Sequence, residues 1–202
     1  MNFKKNKHLI IKQVISKELS EFLYNYLTIK KQVARTCFDS RHISQFETIF
    51  GVWNDPQVPE TYSCYADFAT ETLMLKCQPQ IEKLTGLKLY PAYSYARMYK
   101  KGDELKKHKD RFSCEISTTI NLGGDTWPIY LEGKSINLNP GDLLIYKGCE
   151  LTHWREKFKG NECAQVFLHY NNSKTKGAKK NMFDTRPHLG LPEEFKKDYP
   201  WK

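Results

Sequence analysis

The fold class predicted by the sequence is mostly β with helices at the N-terminus: a helical support followed by a jelly roll of the cupin-like kind. Three observations predict it. Before Leu87 two stretches carry apolar residues at helical spacing. After it come seven short runs, each closed by turn residues, at the spacing of an antiparallel all-β unit. The aromatic content is generous at 13%, with 12 Tyr and 11 Phe, which suits pleated, half-buried surfaces better than a helical bundle.

Ser16 reads as an N-cap, and Leu19, Phe22, Leu23, Tyr26 and Leu27 fall on one stripe of a helix over 17–27. Residues 36–65 read as irregular, with turn and breaker signals at Asn54-Asp55-Pro56 and Val58-Pro59. A second helix is expected over about 65–84, burying Phe68, Leu73, Cys77, Ile81 and Leu84, with a kink or break at Pro79 and a stop at Gly86. The β runs are 92–100, 114–122, 127–131, 135–138, 143–146, 151–155 and 163–170. Their separators carry turn chemistry: Gly123-Gly124-Asp125, a tight hairpin at Glu132-Gly133-Lys134, a type II pattern at Asn139-Pro140-Gly141-Asp142, and Lys159-Gly160-Asn161. Within 114–122, Ile116, Thr118 and Ile120 alternate with Glu115, Ser117 and Thr119.

At 202 residues one domain is expected, spanning 1–170, with helical support over 1–87 and the β core over 88–170. The polar, basic tail over 171–202 is expected to lie across the surface. No run approaches ~18 apolar residues and no secretory signal opens the chain, so a soluble, cytoplasmic protein is expected, with no membrane partner. The six cysteines are scattered without close pairs, which argues for reduced thiols over disulfides or a zinc site. The net charge of +9 gathers around Lys4–Lys7, Lys100–Lys109 and Lys174–Lys180; such blocks can meet phosphates or an acidic partner, or form solvated loops.

The chemistry is concentrated in His108-Lys109-Asp110 and, 43 positions after Asp110, His153. A His-x-Asp arises by chance about 0.3 times in a chain of this composition, so the pair alone carries little. Its context does more. On extended backbone His108 and Asp110 share a face, and all three residues fall at strand ends, where a barrel mouth can gather them. Two imidazoles and one carboxylate leave three octahedral positions open, the arrangement a non-haem Fe(II) centre uses to hold an organic co-substrate beside O2.

The run Tyr95-Ala-Arg-Met-Tyr-Lys-Lys-Gly102, then His108-Lys-Asp110, Gly123-Gly124, Pro140-Gly141-Asp142-Leu143-Leu144 and His153, resembles the prolyl 4-hydroxylase-like branch of the Fe(II)/2-oxoglutarate-dependent oxygenases. The likeness covers roughly residues 88–170 and is nearest to the small bacterial and phage members. It implies a double-stranded β-helix holding Fe(II) through His108, Asp110 and His153, with 2-oxoglutarate and O2 as co-substrates and ascorbate as a possible reductant. Hydroxylation of a C–H bond would be coupled to release of succinate and CO2.

One departure stands out. Members of this branch hold the far carboxylate of 2-oxoglutarate with a Lys or Arg nine or ten residues after the distal histidine, where this chain has Glu162 and Cys163. Arg155, two residues past His153 and on its face of an extended strand, is the best substitute, with Lys157 and Lys159 as alternatives. The structural alternative for Arg155 is an ion pair with Glu156 or Asp142. Tyr99 matches a tyrosine the family places near the co-substrate; Arg97 shares its face, and Gln165 could reach the co-substrate from the last strand. His169 reads as a core histidine, Arg111 as a partner of substrate or of a buried carboxylate, and Trp127 and Trp154 as packing residues.

Three functions compete. The resemblance favours an oxygenase acting on peptidyl proline or a related protein residue. The basic balance favours one acting on a nucleobase, which would need an aromatic slot and a phosphate-tracking face. The third reading is a non-catalytic jelly-roll module with a structural metal.

Overall fold

A computed structural model describes residues 3–44 and 46–199. Ten strands, among the described residues, form two antiparallel sheets. The larger takes β1 (His8–Ile11), β8 (Leu143–Lys147), β5 (Ile116–Gly124), β10 (Glu162–Asn172), β3 (Leu89–Lys100) and β2 (Tyr62–Tyr65), in that order. The smaller takes β4 (Leu105–His108), β9 (His153–Arg155), β6 (Ile129–Leu131) and β7 (Lys134–Ile136). The order is that of a jelly roll, as expected.

Strand parity divides the larger sheet into two chemistries. Ile116, Ile120 and Leu122 of β5, with Val166 and Leu168 of β10 and Ala96 and Met98 of β3, pack in one apolar core with the helices. That core includes Phe3 of α1 (Phe3–Asn6), Leu23 and Leu27 of α2 (Lys17–Asp39) and Leu73, Met74, Cys77 and Ile81 of α3 (Phe68–Thr85). Burying each such side chain contributes about 1.5–3 kcal/mol. The opposite parity carries Tyr95, Arg97 and Tyr99, Gln165 and His169, Ser117 and Thr119. All of these but the half-buried Tyr95 are buried too, so β5 shows no exposed face from Ile116 to Leu122, and its alternation separates two interiors rather than core from solvent.

Ser16 caps α2, accepting from the Leu19 amide at 3.1 Å. The helix runs on to Asp39 because nothing between Leu27 and that point breaks it; Phe22, expected inside, is exposed. Asp67 caps α3 through the Ala69 and Thr70 amides and is also gripped by Tyr26 and Lys30, which ties the two helices together. Pro79 does not break α3. The carbonyl it leaves free belongs to Leu75, on the exposed side where water can reach it. Gly86 ends the helix with φ +69°. Phe68 and Leu84 are exposed because Thr70, Glu71 and Thr85 take the buried positions.

The N-terminal part is not purely helical: β1 pairs with β8 and β2 with β3. The hairpin β6–β7 turns through Glu132 and Gly133, both at positive φ, and Gly141 takes φ +88° at the expected turn before β8.

The C-terminal segment does more than cross the surface. Phe183, Asp184 and Thr185 all adopt left-handed backbone, and the turn aims Asp184 inward. Its carboxylate accepts from both Arg111 terminal nitrogens (2.9 and 2.7 Å), from Ser113 (2.5 Å) and from Tyr65 (2.7 Å). Two residues on, Arg186 pairs with the buried Glu71 at 2.7 Å. Burial resists ionisation of Asp184, but the hydrogen bonds and charge of Arg111 outweigh it and hold the carboxyl well below its ordinary range. A depressed carboxylate pKa stabilises the fold above the unfolded-state value near ~4, and that contribution is lost as pH falls. Asp184→Asn is therefore expected to cost about 3 kcal/mol at pH 7, the low end for a broken buried pair because Arg111 is half-exposed. In urea titrations the gap between parent and variant should shrink as pH is lowered below about 4. A pH-independent gap would remove the carboxylate from the account.

Candidate metal centre and co-substrate pocket

β4 and β9 put the two histidines face to face. His108 lies opposite His153, with ring centroids 4.2 Å apart, and Leu105 lies opposite Arg155. Two residues lie between Leu105 and His108 while one lies between His153 and Arg155, so β4 carries an irregularity that turns both Leu105 and His108 inward. Asp110 follows β4, its amide bonded to the Gly148 carbonyl at 3.0 Å.

The hydrogen bonds fix which ring nitrogens face inward. His108 Nδ1 meets the Lys106 carbonyl at 2.7 Å, and His153 Nδ1 meets the Leu151 carbonyl at 3.0 Å. A carbonyl only accepts, so each Nδ1 carries the proton and each Nε2 presents its lone pair. Asp110 Oδ1 lies 3.7 Å from His108 Nε2 and 3.4 Å from His153 Nε2, and one ligand atom from each residue falls within 4.8 Å of the others. Ser117 donates to the second carboxylate oxygen, Oδ2, at 2.5 Å and meets His169 Nδ1 at 3.1 Å.

Electrostatics favour the ligating forms. Burial, with the neighbouring His153, lowers the His108 pKa, and burial lowers that of His169 to about 4. Burial disfavours the Asp110 carboxylate, but the hydrogen bond and charge that His153 offers when both its nitrogens carry protons, with the Ser117 hydroxyl, outweigh it and lower the pKa.

The three residues open on a cavity of about 320 Å3 walled by Tyr93, Tyr95, Arg97, Tyr99 and Tyr146 from the larger sheet. Two broader grooves of about 760 Å3 each adjoin it. One shares Asp55, Tyr93, Tyr95 and Arg111 with the cavity and extends past Phe46 and Tyr65 to Glu193, Glu194, Lys196 and Tyr199 of the C-terminal segment. The other shares Gln57 and His108 and is lined by lysines 100, 101, 106 and 157.

The expected co-substrate contacts divide. Arg155 is 1% exposed, packed over the Trp127 ring at 5.0 Å with one terminal nitrogen bonded to the Trp127 carbonyl. Neither Glu156 nor Asp142 pairs with it: among the described residues no carboxylate lies within salt-bridge distance, and its Nε has no partner. Burial lowers its pKa. Arg97, also buried, is neutralised by Asp55 and bonded to Gln57 at 3.2 Å and Tyr99 at 3.4 Å. Tyr99 lines the cavity. Gln165 does not; its amide is taken by Thr119 at 3.0 Å and the Cys163 sulfur at 3.1 Å.

His169 is buried, as expected, but lines the cavity and joins Asp110 through Ser117. Arg111 meets a buried carboxylate, Asp184. Trp127 packs between Tyr99 and Phe158, and Trp154 stacks on Tyr130 with Lys107 over its ring, so both indoles are engaged.

Sequence reading missed Asp55, Gln57, Ser117 and Gly148. The first two sit among turn signals, and nothing local in the sequence says that the turn reaches the metal site. At Gly148 an added Cβ would lie 2.2 Å from Asp110 Oδ2 and 2.4 Å from the Cys114 carbonyl.

No family model and no curated protein matches the sequence. Solved structures do match in fold. A prolyl-4-hydroxylase from Pseudomonas putida aligns over 84% of this chain and 95% of its own, with TM-score 0.54 and 14% identity. The viral collagen prolyl hydroxylase of Paramecium bursaria Chlorella virus-1, solved with 2-oxoglutarate, aligns over 81% and 95%, with TM-score 0.57 and 12% identity. HygX from Streptomyces hygroscopicus, solved with nickel and 2-oxoglutarate, aligns over 85% of both chains, with TM-score 0.57 and 13% identity. The fold is thus the double-stranded β-helix of the 2-oxoglutarate oxygenases. Among the described residues no helix is long and apolar enough to cross a membrane.

Gly148→Ala is expected to push the Asp110 carboxylate off its position and weaken divalent-metal affinity by at least about tenfold, the effect typical of disturbing a ligand's support. Calorimetric titration of the purified variant with Mn(II) measures it. Undiminished affinity would show that the Gly148–Asp110 approach is not limiting.

Proposed function

We propose that the protein is an Fe(II)- and 2-oxoglutarate-dependent oxygenase that hydroxylates a C–H bond of a peptide or protein, peptidyl proline first among the candidates. The observation that carries the reading is the convergence of two imidazole lone pairs and one carboxylate on one cavity, with the anion-free guanidinium of Arg155 buried two residues along β9 from His153. Metal held there with 2-oxoglutarate supplies the O2 chemistry that side chains cannot, with succinate and CO2 as co-products.

The chain's own residues account for the rest. His108, Asp110 and His153 are the ligand set, with Lys106, Leu151 and Ser117 orienting them. Arg155 fits a dicarboxylate on independent grounds. A buried guanidinium without an anion is costly, and it is the lack of a carboxylate, not the unpartnered Nε that Arg97 shares, that sets Arg155 apart. It lies two residues along β9 from His153, about 6.8 Å by strand rise, the scale of a five-carbon dicarboxylate. Tyr99, on the facing sheet, packs on the same Trp127 ring as Arg155 and lines the cavity. Arg97 is less suited, because Asp55 already meets its charge.

The substrate class rests on the groove that leads to the cavity. Tyr65 and Tyr93 stack at 4.9 Å there, with Tyr95 and the exposed Phe46 beside them. Aromatic-lined grooves accept extended, proline-rich chain, and prolyl hydroxylases are among the structures that share the fold.

Conversion of 2-oxoglutarate to succinate is expected to require Fe(II) and to cease in His108→Ala and Asp110→Ala. A folded, iron-loaded protein that neither binds nor consumes 2-oxoglutarate would sink the proposal. Arg155→Ala is expected to weaken 2-oxoglutarate binding about ten- to a hundredfold, the worth of a charge-assisted contact, while metal affinity is unchanged. Lys at this position should restore only part of the loss, lacking the planar fork. Affinity within about twofold of the parent in Arg155→Ala would place the carboxylate elsewhere.

A further inference from the structure

The segment between Trp53 and Thr61 folds over the metal centre. Its legs are fixed: the Glu60 amide bonds to the Trp53 carbonyl at 3.0 Å, and Val58 is buried beside Tyr99, Leu105 and Phe158. Its tip rests on Arg97 through Asp55 and Gln57.

The orientation of the Gln57 amide follows from its neighbours. Gln57 Oε1 lies 3.2 Å from Arg97 Nη1, and a guanidinium only donates, so the oxygen faces Arg97 and the NH2 faces away from it. That NH2 lies 3.3 Å from His108 Nε2. His108 Nδ1 already spends its proton on the Lys106 carbonyl, so Nε2 is the acceptor. Its single in-plane lone pair is the one a metal ion would require.

We propose that Gln57 is a gate on the metal site: its amide caps the metal-facing nitrogen of His108 and must leave before a divalent cation can bind. The inference rests on the metal-centre reading of His108, Asp110 and His153. One lone pair cannot serve an N–H and a cation together, so the two occupants exclude each other. The buried Val58 keeps the backbone in place, and the exposed Gln57 side chain leaves by rotation rather than by opening of the segment. Its oxygen can stay on Arg97, so metal loading is felt by the Arg97–Asp55 pair on the cavity wall.

The sign of one measurement separates gating from support. Gln57→Leu keeps the volume and removes the donor. Calorimetric titration of metal-free protein with Mn(II) is expected to show the variant binding about two- to fivefold tighter than the parent, the lower range for one hydrogen bond at an exposed residue. Adding Zn(II) to parent protein is expected to shift the Gln57 side-chain NH2 resonances, a readout independent of substitution. A residue that merely braces His108 would give the opposite sign. Equal or weaker Mn(II) binding in Gln57→Leu, with the parent binding normally, overturns the gate and leaves the metal centre standing. Failure of both proteins to bind Mn(II) overturns the metal centre and the gate with it.

Discussion

In the smaller sheet β4 meets β9 so that His108 faces His153 and Leu105 faces Arg155. Side chains alternate along a strand, so a slip of one residue would turn His153 and Arg155 outward together and bring Trp154 into the cavity. The opposite face resists that slip. Trp154 sits across from Tyr130 of β6 in a near-parallel stack, and Lys107 covers the indole. An aromatic ladder on the outside thus holds the inside in register. The irregularity within β4 serves the same end by sending Lys106 and Lys107 to solvent while Leu105 and His108 point inward.

The interior behind the histidines separates two guanidiniums that composition alone would treat alike. Arg97 has its anion within the chain: Asp55 supplies the charge, Gln57 and Tyr99 further hydrogen bonds, and Tyr95 and Tyr99 the faces it packs on, although its Nε, like that of Arg155, has no partner. Arg155 has an aromatic face and one carbonyl, and no anion. A buried charge left in that state has a pKa lowered by its surroundings and a standing attraction for a carboxylate. Arg97 builds the cavity wall, and Arg155 lies behind it.

Much of this was readable from the residues because period-two alternation and turn chemistry are local. The strands of the β core, the Gly86 stop, the turn at Gly141 and the shared face of Tyr95, Arg97 and Tyr99 all follow from neighbours in sequence. What was not readable depends on distant partners. β4 is an edge strand with two lysines on its outer face, so LKKH shows no apolar rhythm. Glu71 reads as a surface position on α3 until Arg186, 115 residues away, neutralises it. Gln165 shares a face with Arg97, but parity cannot reveal that Thr119 and Cys163 take up its amide. The contact between Gln57 and His108 joins a turn to a strand end and has no signature in either.

The left-handed turn at Phe183–Thr185 delivers the far wall of the aromatic groove. Residues beyond it, Glu193, Glu194, Lys196 and Tyr199, face the approach to the metal, yet none belongs to the strands that hold the ligands. The ligand-bearing strands and this groove wall are therefore covalently continuous but supplied by separate stretches of chain. Changes in the last stretch of chain can reshape this groove while the ligand-bearing strands, anchored through Asp184 and Arg186 only at their neighbours, stay as they are.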